Sequence, residues 1–132
     1  MAKVNIDYGQ GKIAAFNDAA RAGTIHFEEA AVREAVALYD RMITGLHAAR
    51  ERLQKATQAS GFGGFESAQQ LQAGFSNKAA EGMIAINHLI EGAMRLQEAY
   101  LRAGNLITEA DQIHADALRF AEKDPGLGDA RA

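Results

Sequence analysis

Cysteine and tryptophan are both missing from the 132 residues, and proline occurs once, at position 125. The lack of cysteine excludes a disulfide framework, a thiolate metal site and a cysteine nucleophile, and it leaves the redox compartment open. With no proline before Pro125, nothing of that kind interrupts a long helix over most of the chain. Charge of a single sign is also missing: 14 Lys and Arg stand against 17 Asp and Glu, and the signs are mixed throughout. That balance provides no electrostatic footprint for nucleic acid and no basic stripe for an anionic membrane. The opening residues, Met1 to Gly9, hold no apolar run long enough for a cleavable signal peptide, and no stretch approaches a membrane span. Stable membrane insertion is not expected. By ordinary rules the protein stays in the cytoplasm, and any export would use a signal-peptide-independent route.

What is present is alanine, 48% apolar residues and helical periodicity, so the composition reads as all-α. The punctuation falls at Ser60-Gly61-Phe62-Gly63-Gly64-Phe65, where three glycines in four positions can end one helix and redirect the chain. Before it, Glu28 and Glu29 mark a helix start, and Val32, Val36, Tyr39, Ile43, Leu46, Ala49, Leu53 and Ala56 form a single apolar seam. The opposite face carries Arg33, Glu34, Asp40, Arg41, Arg50, Glu51, Arg52 and Lys55. This predicts a helix over about 27–59, a turn at 60–64 and a second helix over about 65–122, some 48 Å and some 85 Å long at 1.5 Å per residue. Gly104-Asn105 is the place for a kink or break in the second helix. Residues 1–24 form an N-terminal segment, with a short amphipathic helix allowed from Lys12 to Arg21, and 125–132 read as a disordered tail.

The expected architecture is therefore an elongated antiparallel helix-turn-helix hairpin with a long second helix. Gly61, Phe62, Gly63, Gly64 and Phe65 shape its tip, with at least one of the two phenylalanine rings packing over the helix ends. An 85 Å helix overhangs its partner and leaves an apolar seam for another chain or for the N-terminal segment to cover. Met83, Ile90, Met94 and Leu101 line a second apolar edge and are the expected partner-binding residues. A homodimer through the same edge fits the sequence equally well.

Catalytic chemistry is not legible. His26, His47, His88 and His114 are scattered. Asp111 and His114 share a helical face without the matching Glu-x-x-His of a two-metal bundle, and the reversed His88 and Glu91 pair falls on a mostly buried stretch. No serine stands in a nucleophile elbow, and the glycines at 61–64 lack the strand and lysine of a phosphate cradle. No enzyme activity, metal or cofactor is expected.

A glycine-flanked aromatic turn between two long helices, together with no cysteine and no signal peptide, resembles the WXG/Esx family of type VII secretion substrates. The resemblance covers about Phe27 to Asp124. Phe62-Gly63-Gly64 stands where that family has Trp-x-Gly, and Phe120-Ala-Glu-Lys-Asp124 resembles its aromatic-x-x-x-acid export signal. The phenylalanine variant is similar to the small helical accessory proteins of LXG-type toxins. The resemblance implies a chaperone-like, secreted partner of an effector or toxin targeting domain, forming a heterodimer, with Phe120 and Asp124 in the export signal read by the secretion ATPase. The rival expectation is a cytoplasmic helical-hairpin scaffold or homodimeric adaptor that is not exported.

Overall fold

The computed structural model of the chain describes residues 6–57, 63–64 and 66–123. Four helices follow one another: α1 (Gln10–Arg21), α2 (Glu29–Ala56), α3 (Glu66–Ala103) and α4 (Ile107–Lys123). The longest, α3, is the axis against which each of the other three packs.

Cross-helix pairs give the directions. Tyr8 stacks on His88, the Asn17 side chain donates to the Arg95 carbonyl at 3.0 Å, and Arg21 reaches Glu98, so α1 runs parallel to α3. Val32 lies against Gly104 and Leu53 against Gly82, so α2 runs antiparallel to it. Asp111 meets Arg102 and His114 meets Glu98, so α4 also runs antiparallel to it.

The reversals have local causes. Gly23, at φ 77°, closes α1: Thr24 N–H donates to the Ala19 carbonyl and Gly23 N–H to the Ala20 carbonyl. This arrangement satisfies the last carbonyls of the helix and needs a left-handed residue that glycine adopts at no steric cost. The same device ends α3, with asparagine in the left-handed place. Asn105 has φ 61°, Leu106 N–H donates to the Leu101 carbonyl at 2.8 Å, and Asn105 N–H donates to the Arg102 carbonyl at 3.0 Å. Phe27 N–H donates to the Ala103 carbonyl at 2.9 Å, so the start of α2 is pinned to the end of α3.

The expected two-helix hairpin is thereby corrected. Residues 66–123 form two helices with a reversal at 104–106, not one helix, and α1 and α4 fold back along α3 to make a four-helix bundle. The physical reason is apolar area that α2 alone does not cover. An isolated α2–α3 hairpin would leave the remaining faces of the C-terminal half of α3 in water, and α1 and α4 pack over them. Val32, Leu101 and Ala110 form the core at this level, with Val36, Tyr100, Leu106 and Ile113 packed around them. An aromatic group joins the elements: Tyr100 meets Phe16 of α1 edge-on with centroids 5.1 Å apart, stacks on Phe27 at 5.7 Å, and lies 6.0 Å from Tyr39 of α2.

At the other end α1 begins near His88, and α4 reaches His47 through Phe120. Beyond that level the paired elements are α2 and α3, as where Leu53 meets Gly82. The molecule is thus a four-helix base with a two-helix arm.

Candidate functional site

Chemistry-bearing side chains converge in one place, around Glu98. Its side chain is 1% exposed, and three guanidinium groups and an imidazole reach it. Arg21 and Arg102 each lie 3.0 Å from Oε2, while Arg95 and His114 Nδ1 each lie 3.1 Å from Oε1. Arg102 also pairs with Asp111 at 3.1 Å, and Arg95 lies 3.6 Å from Glu91. Burial alone would push the Glu98 carboxyl up. Hydrogen bonds from His114, Arg102 and Arg95 outweigh burial and hold it below the usual carboxylate range. Every member of the cluster has a protein partner, and the partners come from α1, α3 and α4. Such a group clamps helices together; it offers no free nucleophile or base.

A cleft of about 270 Å³ opens between α1 and α3, lined by Ile13, Ala14, Asn17, His88, Glu91 and Gly92 among others. Asn17 Oδ1 and His88 Nδ1 are buried without a hydrogen-bond partner among the described residues. Burial holds the His88 imidazole below its ordinary pKa, so it is kept neutral against the Tyr8 ring. Both polar atoms are shielded from solvent although their residues line the cleft. Among the described residues no group of three or more His, Cys, Asp or Glu side chains could hold a metal ion, and no helix is long and apolar enough to cross a membrane.

Among its charged residues the described surface also presents large apolar side chains. On α2, Leu38 is 57% exposed and Met42 43%; on α3, Leu71 is 63% exposed and Phe75 50%. Ile84 and Leu89 of α3 are exposed as well.

The residues expected from the sequence fall elsewhere. Of the expected partner-binding residues, Ile90 and Leu101 are buried inside the base, and Met83 and Met94 are half-buried. Of the expected tip, Gly63 and Gly64 are exposed, and Gly63 has φ 99°; Gly61, Phe62 and Phe65 lie outside the described residues. Phe120 is half-buried, edge-on to His47 of α2 with centroids 6.1 Å apart. Its expected companion in the export signal, Asp124, also lies outside the described residues. Sequence reasoning missed the Glu98 cluster, although Glu91, Arg95, Glu98 and Arg102 recur at steps of four, three and four on α3. Charges at that spacing share one helix face, and here the face is buried.

Comparison with family models, with curated proteins and with solved structures finds no match to this chain. The resemblance to the WXG/Esx family and to toxin accessory proteins is therefore corrected. No family model supports it, and a four-helix bundle stands in place of the two-helix hairpin on which it rested. Nothing in these comparisons ties the chain to an effector targeting domain, a secretion ATPase or a chaperone-like role.

Proposed function

We propose that this chain is a non-enzymatic helical scaffold, an adaptor that acts by associating with other helices through exposed apolar helix faces. The observation that carries the reading is the contrast between its two kinds of surface. The polar groups clustered around Glu98 are consumed in pairing α1, α3 and α4 to one another. Large apolar side chains stand in water on α2 and α3, as at Leu38, Met42 and Leu71. Exposed apolar area on long regular helices is the usual ground for helix-to-helix recognition.

The test is photo-crosslinking in the native cell. A photoreactive residue is placed singly at Leu38, Met42 and Leu71, with Asp18 on the exposed side of α1 as the control position. The reading predicts discrete protein adducts from the apolar positions and none from the control. If no position yields an adduct larger than the monomer, the scaffold reading fails.

A further inference from the structure

The outward face of α2 has an order of its own. Ala31, Ala35, Leu38, Met42, Gly45 and Ala49 recur at steps of four, three, four, three and four. This is a second apolar stripe beside the seam of Val32, Val36, Tyr39 and Ile43 that faces the bundle, and its half-buried Ala49 belongs to both. Ala31, Leu38, Met42 and Gly45 are exposed, and a Cβ built on Gly45 meets nothing within 4 Å. The alternation of four and three is the repeat of a helix that packs lengthwise against another helix.

We infer that this face is an interface between two copies of this chain, with α2 of one copy antiparallel to α2 of the other. The inference rests on the scaffold reading and names its partner. Two features point to a second copy. The first is size complementarity. When the stripe is laid antiparallel on itself, Met42 sits over Gly45 of the second copy, Leu38 over its Ala49, Ala35 over its Arg52, and Ala31 over its Ala56. Each large side chain then meets a small one, as knobs in holes require.

The second feature is charge complementarity. Glu34, Arg41, Ala48 and Lys55 flank the stripe on the side away from the bundle. In this register Glu34 lies beside Lys55 of the second copy, and the two-fold axis repeats the pair, while Arg41 lies beside alanine. Neither Glu34 nor Lys55 has an ion-pair partner among the described residues of the monomer. The other antiparallel register, with Leu38 over Met42, would bring Arg41 against Arg41 and is disfavoured by like charge. A two-fold arrangement is self-complementary and closes at two copies. The stripe spans about 27 Å of helix at 1.5 Å per residue, and the paired contact from Ala31 to Ala56 about 38 Å, so the contact is of the small class, and the dimer is weak, with a dissociation constant on the order of micromolar.

The natural absence of cysteine makes the test clean. Full-length Ala31→Cys and Ala56→Cys variants are oxidised separately and as an equimolar mixture. The mixture is expected to form the mixed disulfide dimer at least tenfold faster than either variant alone. A charge-reversal set provides a second readout: Glu34→Lys and Lys55→Glu each weaken dimerisation severalfold, and the double variant recovers it. Preferential linkage of Ala31→Cys to itself would mean a parallel pair and would overturn the inference. The absence of any concentration-dependent dimer in the unmodified protein would do the same. If the cell shows adducts at Leu38 and Met42 only with a different protein, the homodimer fails while the scaffold reading stands; if it shows none at any position, both fail.

Discussion

Glu98 is the residue on which most of the intramolecular electrostatics depend, because its buried carboxylate is the shared partner of Arg21, Arg95, Arg102 and His114. Removing one partner of a buried ion pair leaves the others uncompensated, at a cost of about 3 kcal/mol. Glu98→Gln is therefore expected to lower unfolding stability at neutral pH by about that amount in urea titrations. Arg21, half exposed in its pair, should matter much less, on the order of 0.5 kcal/mol for Arg21→Ala. The folded-state pKa of Glu98 is depressed, so its contribution is present above the ordinary carboxylate value of 4.5 and is lost as pH falls below it. The stability difference between wild type and Glu98→Gln should narrow on acidification through that range. Gly104 gives a steric counterpart. A Cβ there would lie 2.8 Å from Val32 Cγ2, and Val32 is fully buried. Gly104→Ala should cost about 1–3 kcal/mol by overpacking. In the double variant with Val32→Ala the two costs should fall short of additive by about 1 kcal/mol, since the smaller side chain removes the clash.

At the scale of elements, the helix ends were more legible than the partners of the helix faces. Gly23 and the Gly104-Asn105 pair are readable as stops because a left-handed residue ends a helix whatever lies around it. Which faces meet is not local. Met83, Ile90, Met94 and Leu101 read as one apolar edge, and nothing in their spacing tells a partner chain from α1 and α4 of the same chain. The Glu98 cluster was illegible for the opposite reason: charged residues on a helix normally signal solvent, and only the arrival of Arg21 and His114 from distant sequence makes a buried Glu98 tolerable. The same held on α2, where the charged residues around Leu38 and Met42 masked a second stripe that the spacing alone contains. Element lengths also carry a prediction. α1 has 12 residues, at the lower limit for a helix that persists alone in water, so it depends on docking through Phe16, Asn17 and Arg21. Phe16→Ala should speed hydrogen exchange of α1 amides by roughly tenfold or more through local opening, while the amides around Ala99 and Leu101 in α3 stay protected. Uniform acceleration across all helices would show instead that α1 and the base unfold as one unit.

For the molecule as a whole, the long α3 is enclosed where α1 and α4 pack on it and has α2 alone beside it in the arm. A net charge of −3 is too small to oppose self-association strongly. With α1 and α4 packed on α3, the outer face of α2 is a long regular surface with exposed apolar side chains at its centre, beside the exposed Leu71, Phe75, Ile84 and Leu89 of α3. In the scaffold role proposed above, the bundle holds that face in place. The most direct measurement is sedimentation equilibrium of the full-length protein across the micromolar range and above, beside a Met42→Glu variant shown by circular dichroism to keep its helicity. The account predicts a monomer–dimer equilibrium for the wild type and a monomer throughout for Met42→Glu. A wild type that stays monomeric at every concentration, or a Met42→Glu variant that dimerises as well as the wild type, would contradict it.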